Sequence, residues 1–138
     1  MYNKDMHKIK ISTSCREEII DITLLINNYL KKEKLISGVL LIYSPHTTAG
    51  ISVNENADPD VKRDINYFLK KTVPQNFGFA HNENNADAHI KGALVGFSQN
   101  FIVEDNTLQL GTWQGIFFME FDGPRNREVW LKFTPHAH

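Results

Sequence analysis

The two most apolar stretches of the chain are short, Val39-Leu40-Leu41-Ile42-Tyr43 and Ile116-Phe117-Phe118-Met119. Neither approaches the roughly 20 residues that a helix needs to cross a bilayer. Runs of this length and composition read as strands covered on both faces. The chain therefore has to place layers on both sides of a sheet. At 138 residues it is long enough for one core. No repeat, low-complexity tract or linker divides it, so residues 1–138 read as a single domain.

The remaining periodicities fill in the layers. Residues 7–12 alternate polar and apolar, as a half-buried strand does. Ser14 with Glu17 three residues on reads as a capping box. Ile19, Ile22, Ile26, Tyr29 and Leu30 then follow at helical spacing, predicting an amphipathic helix of about four turns that ends near Lys32. A short strand is expected within residues 50–53. Asp58-Pro59-Asp60 opens a second helix, with a capping carboxylate, proline in the first turn and a further acid at the positive dipole end. Val61, Ile65, Phe68 and Leu69 form its expected buried stripe, and Pro74 ends it. Residues 87–95 read as a short third helix. Asp105-Asn106 is a two-residue hairpin turn between strands 101–104 and 107–110. Two further strands, 115–121 and 128–134, close the chain. In the last, Val129, Leu131 and Phe133 share one face. This order predicts an α+β fold, a mixed and mainly antiparallel β-sandwich with two main helices and a short third.

Composition narrows the function classes. The formal charge is −1, from 15 basic and 16 acidic residues, so no global field draws the protein onto nucleic acid or anionic lipid. Neither nucleic acid nor membrane is an expected partner. Cys15 is the only cysteine, which suits a reducing compartment and reads as a packing residue. The first residues lack the apolar core of a secretory signal. A soluble, cytoplasmic protein is the expectation.

Four segments carry polar residues that packing does not require. Ser44-Pro45-His46-Thr47-Thr48-Ala49-Gly50 follows a strand, where scaffolds present functional groups. It is either a phosphate-approaching turn or a turn whose hydroxyls satisfy local backbone. In Asn54-Glu55-Asn56-Ala57-Asp58, Asp58 is the helix cap, whereas Glu55 is a candidate acid–base or metal-facing carboxylate. His81 and His89 are eight residues apart, unlike the i, i+4 pair of a helical zinc motif. With His46 they would supply three imidazoles, a common shell for a catalytic metal. Gly111-Thr112-Trp113-Gln114-Gly115 enters the penultimate strand. Beyond that strand lies Arg125, either a phosphate clamp or an exposed loop residue. Glu120 shares a strand face with Ile116 and Phe118, so it needs a partner or a cavity.

Taken in order, Ser44-Pro45-His46-Thr47-Thr48-Ala49, Asn54-Glu55-Asn56-Ala57-Asp58-Pro59-Asp60-Val61, Asn85-Ala86-Asp87-Ala88-His89-Ile90-Lys91, Leu110-Gly111-Thr112-Trp113-Gln114-Gly115-Ile116 and Phe121-Asp122-Gly123-Pro124-Arg125 closely resemble the YjbQ-like family. The label often given to that family is secondary thiamine-phosphate synthase. The resemblance covers residues 9–133 and implies a compact α+β sandwich assembling as a homotrimer. It assigns the metal-ligand role to His46, His81 and His89. Thr47, Thr48, Glu55, Gln114 and Arg125 fall in matching motifs and are the candidate catalytic residues; Asn56 and Asp87 lie in the same motifs. Gly50-Ile51 departs from the more apolar pair expected after the Thr-Thr-Ala turn.

The label implies coupling of hydroxymethylpyrimidine diphosphate with thiazole phosphate. The expected partner is then a phosphorylated small molecule, and the expected cofactor a divalent metal: zinc, manganese or magnesium. Magnesium prefers oxygen ligands, whereas three imidazoles favour a transition metal or zinc. Two alternatives therefore stand beside the synthase: a metal-dependent hydrolase or lyase, and a non-catalytic metal- or ligand-binding trimer. In a trimer, Trp113, Gln114 or Arg125 is expected to approach a neighbour's histidine segment across the interface.

Overall fold

The computed structural model describes residues 6–137. Its elements are β1 (His7–Ser12), β2 (Glu18–Asp21), α1 (Thr23–Lys32), β3 (Gly38–Tyr43), β4 (Ala49–Glu55), α2 (Pro59–Thr72), α3 (Ala86–Val95), β5 (Ser98–Glu104), β6 (Thr107–Leu108), β7 (Gln114–Glu120) and β8 (Asn126–Pro135). They form an α+β fold with a five-stranded sheet, ordered β1-β8-β3-β5-β6, and a three-stranded sheet, β2-β7-β4. Every strand pairing is antiparallel, so the sheets are not mixed. Asp105 and Asn106 both adopt left-handed backbone, φ 52° and 59°, the geometry of a type I′ hairpin turn between β5 and β6.

The core lies between the sheets. Leu40, Ile42, Val103, Val129, Leu131 and Phe133 face Ile51, Ile116 and Phe118, and α1 adds Ile26 and Leu30. On the far side of β7, Phe117, Met119 and Phe121 pack with Ala88 of α3 and with Ile65 and Leu69 of α2. β7 is thus covered on both faces, as its unbroken apolar run requires. β3 is not. Leu40 and Ile42 are fully buried, but Val39 is 46% and Tyr43 40% exposed. One face of the five-stranded sheet stays open in the single chain.

Two sequence expectations are corrected by tertiary pairing. The predicted first helix is divided: residues 18–21 form β2, and helix begins only at Thr23. Ile19 and Ile20 pair with Met119 and Phe118 of β7, and their alternate side chains enter the two opposite cores. β-branched residues suit that pleated position better than a helix start. Ser14 consequently caps nothing; its amide and hydroxyl both donate to the Glu18 carboxylate, each at 2.8 Å. The second correction concerns α2. Asp58 caps it as expected, accepting from the Asp60 amide at 2.9 Å. Phe68, however, is 65% exposed. No residue of the helix is fully buried; Ile65 and Leu69 are half-buried against the cluster of Phe117, Met119 and Phe121.

Gly50 has a structural cause. A Cβ there would stand 2.5 Å from the Gly96 carbonyl oxygen, which accepts from the Ile51 amide at 3.0 Å. Only glycine lets β4 pass so close to the end of α3.

Candidate functional site

Where β3 gives way to β4, the chain makes a tight turn fixed by Ser44. Its amide donates to the Phe97 carbonyl and its hydroxyl to the Ala49 carbonyl, each at 2.7 Å. Ser44 is buried and structural, the second of the two readings left open for this segment. The turn carries Pro45, His46, Thr47 and Thr48 onto one wall of a cleft of about 350 Å³. Asn85 and His89 of the α3 start line the same cleft, with Glu83, Asp122, Arg125 and Arg127.

The floor is a buried ion pair. Arg127 donates through Nε and Nη2 to Glu120 and through Nη2 to the Thr48 hydroxyl at 2.8 Å. Glu120 has no exposed surface. It also accepts from the Thr13 hydroxyl at 2.8 Å and from the amides of Phe121 and Asp122, each at 3.1 Å. The partner that Glu120 needed is therefore Arg127. That arginine escaped the sequence reading, although its position was legible: it lies on the inward face of β8, two residues before Val129.

A second set of bonds shapes the mouth. Asp122 accepts from Arg125 Nη2 at 2.9 Å and from Asn85 Nδ2 at 2.8 Å, while its backbone carbonyl accepts from Arg125 Nε at 2.7 Å. Asn85 is 8% exposed, and its Oδ1 is the buried side-chain polar atom with no hydrogen-bond partner among the described residues. Asp122 demands the amide's N–H end, so the carbonyl end is the one left without a partner. Neither Asn85 nor Asp122 had been singled out from sequence; an amide and an acid in loop segments carry no spacing signal.

The three histidines are brought near one another unequally. His46 and His89 line the cleft. His81 stands beside His89, edge to face, with ring centroids 5.1 Å apart, and its Nε2 lies 3.4 Å from Glu83. His46 Nε2 lies 2.9 Å from the Glu128 amide nitrogen and 3.1 Å from the Glu128 carbonyl oxygen, accepting from the first or donating to the second according to the ring's tautomer. Burial, and then the nearby Arg127 charge, push the His46 imidazole below its ordinary 6.5, keeping it neutral at pH 7. Nε2 of His46 is thus engaged by the Glu128 backbone. Among the described residues no three His, Cys, Asp or Glu side chains are placed to hold a metal ion. The three imidazoles do not form such a group within the described residues of the single chain.

Of the candidate catalytic residues, Thr47, Thr48 and Arg125 reach the cleft, Thr48 with its hydroxyl committed to Arg127. His46 and Arg125 line it in the same chain. Glu55 and Gln114 sit elsewhere. They pair across β4 and β7 at the end opposite the Ala49–Glu120 pair, about 20 Å away at some 3.3 Å of rise per residue. There Glu55 accepts from the Asp58 amide and Gln114 from the Gly111 amide, each at 2.8 Å. Asn56 joins Asp21 to Lys62. Asp87 faces away from the cleft to bind Arg16 and Lys91. Cys15 is exposed rather than packed.

The family model for UPF0047 protein YjbQ-like matches residues 7–136. This chain belongs to the YjbQ-like family. A UPF0047 protein of Methanocaldococcus jannaschii, MJ1081, is 54% identical over 94% of each chain. The UPF0047 protein YugU of Bacillus subtilis is 50% identical over 90% of this chain and 95% of its own. A crystal structure from Clostridium acetobutylicum, described as an uncharacterized conserved protein of the family, superposes with a TM-score of 0.89 at 47% identity, over 93% of this chain and 99% of that one. The hypothetical protein APE1520 of Aeropyrum pernix gives 0.90 at 34% identity, over 96% and 99%. These findings overturn the thiamine-phosphate synthase expectation. Relatives this similar carry family names and descriptions only, and none attaches a synthase or metal-dependent activity. No helix among the described residues is long and apolar enough to cross a membrane.

Proposed function

We propose that the cleft recognises a small ligand through an oxyanion, phosphate or carboxylate. The observation that carries this reading is the state of Arg125. Its side chain is 52% exposed at the mouth. Asp122 fixes Nε and Nη2, and Nη1 makes no hydrogen bond among the described residues. A guanidinium held along one edge keeps its remaining donors pre-oriented, the arrangement that suits an oxyanion. The Thr47 hydroxyl, exposed in the same cleft, adds a neutral donor. Asp122 pairs with Arg125 and offsets its charge, and Glu83 stands beside His81, so the site offers an oxyanion directed donors rather than net positive charge. Asn85 Oδ1 would accept from a hydroxyl or amine of the same ligand.

Titration of the protein with inorganic phosphate and, separately, acetate, followed by amide chemical shifts, tests this. Shifts are expected at Thr47, Asn85 and Arg125 for at least one anion. Arg125→Ala should weaken that anion about tenfold or more, since a charge-assisted hydrogen bond contributes about 1.5–3 kcal/mol. Shifts confined to surface lysines, or affinity indifferent to Arg125→Ala, would sink the reading.

A separate observation supports a proposal on assembly. Val39, Tyr43 and Ile102 leave an apolar outer face on the five-stranded sheet, with Ile102 61% exposed. We propose that further copies of the chain cover it, three in the assembly. Light scattering should return about three times the 15.9 kDa of one chain; a stable species at the single-chain mass would refute it.

A further inference from the structure

The strand registers align the outward residues of the five-stranded sheet in rows. Trp130 stands between Lys8 and Tyr43, Lys132 lies opposite Leu41, and Val39 stands between Thr134 and Ile102. Val39, Leu41, Tyr43, Ile102 and Trp130 thus form one apolar band across the open face. The Tyr43 and Trp130 rings stand 5.9 Å apart, and Lys8 Nζ lies 5.0 Å from the centre of the Trp130 ring. On β1 and β8 the band is bordered by Lys8, Lys10 and Lys132, with Glu128 opposite Lys10. Three ammonium groups against one carboxylate make this face basic.

A second surface has the opposite character. At the Glu55–Gln114 end of the small sheet, the segment that leads into β7 is held at several points. The Asn56 amide donates to the Trp113 carbonyl at 2.7 Å, the Gln114 amide to the Gly111 carbonyl at 3.0 Å, and the Gly111 amide to Gln114 Oε1 at 2.8 Å. Gly115 packs on Asn56 so closely that a Cβ would stand 2.8 Å from it. Trp113, carried by this fixed backbone, is nonetheless 63% exposed. Acids gather beside it. Asn56 donates to Asp21, Glu55 precedes Asn56 and accepts from the Asp58 amide, and one ammonium, Lys62, reaches Asn56. A large ring on rigid backbone loses little freedom when covered, and tryptophan is among the side chains that anchor interfaces most strongly.

We infer that these two surfaces meet between neighbouring copies: Trp113 of one chain seats on the apolar band of the next, and Asp21, Glu55 and Asp58 face Lys8, Lys10 and Lys132. This rests on the assembly reading above and adds which surface of the neighbour covers the sheet. The two patches belong to different sheets, so their contact is head-to-tail and repeats from copy to copy until a ring closes. A face-to-face pairing of two open sheets would instead set lysines against lysines, and like charges brought together oppose binding.

Two complementary variants of the full chain decide it by light scattering. Trp113→Ala removes the anchor and keeps the band, whereas Tyr43→Arg spoils the band and keeps the anchor. Each alone should fall from about three times 15.9 kDa to the single-chain mass, with an unchanged circular dichroism spectrum. If Tyr43→Arg does not fold, Ile102→Arg, at a 61% exposed position on the same band, replaces it. Mixed in equal amounts at high concentration, the two variants should return a complex of two chains, because one sound interface remains and no ring can close. A parent chain at the single-chain mass overturns the assembly reading and this inference with it. A Trp113→Ala variant that keeps the parent's mass overturns the inference alone. So does a mixture that returns only single chains.

Discussion

Glu120→Ala should cost about 3–5 kcal/mol of folding stability, the usual consequence of removing one partner of a buried charge pair. Arg127, 6% exposed, would be left without its carboxylate. The Thr13 hydroxyl and the amides of Phe121 and Asp122 would lose their acceptor as well. Against a total of roughly 5–15 kcal/mol for a domain, that is a large fraction, readable as a fall in the urea midpoint. Replacing both partners, Glu120→Met with Arg127→Met, should recover most of the loss, because neither charge is then stranded. A single substitution costing less than about 1 kcal/mol would show that Arg127 finds water on losing Glu120. Acid reaches the same pair. Burial alone would push the Glu120 carboxyl up. Hydrogen bonds from Arg127, the Asp122 amide and Thr13 outweigh it and hold the group below its ordinary 4.5. The unfolded chain therefore takes up the proton first as pH falls, so this contribution is complete above about 4.5 and is lost as pH descends through the folded value. Glu120→Gln should flatten that part of the stability profile.

Asp87→Ala should cost a comparable amount, about 3–5 kcal/mol, and should also disturb the cleft. Asp87 is fully buried. It accepts from Arg16 at 2.9 and 3.1 Å and from Lys91 Nζ at 3.0 Å. Lys91 is only 1% exposed, and its other acid, Glu17, lies 3.6 Å away. Removal of Asp87 strands an ammonium inside the protein and unties α3 from the segment before β2. Because the same helix start presents Asn85 and His89, the variant should show altered amide shifts at both together with a lower melting temperature. Asp87→Ala combined with Lys91→Met should regain more than half the stability. If Asp87→Ala melts like the parent, Lys91 must instead reach solvent by a different rotamer.

The cleft was partly legible before the fold was known. His46, Thr47, Thr48, His89 and Arg125 lie in segments whose polar content exceeds what turns need, and they do meet. Glu120 announced itself as an inward-facing charge. The misreadings have a common cause. Glu55 and Gln114 sit in equally polar segments, yet the antiparallel register of β4 against β7 carries them to the far end of the sheet. Nothing local encodes that separation. Asn85, Asp122 and Arg127 were missed because their significance lies in bonds to residues distant in the chain.

Local chemistry determined much of the rest. The alternation in β1 and β8, the Asp58-Pro59 helix start, the Asp105-Asn106 turn and the buried run of β7 each follow from side chains within a few residues of one another. Family membership was legible too, since it is carried by ordered motifs rather than by shape. Tertiary structure alone decided that residues 18–21 pair as a strand although their spacing also fits a helix. Ile19 and Ile20 had two periodicities open to them, and the exposed edge of β7 selected the extended one. It also decided which histidines share a cleft. Three imidazoles separated by long stretches of chain acquire a common site only through the packing of the elements that carry them, and here His89 of α3 shares the cleft with His46 while His81 stands beside His89 outside the cleft's lining.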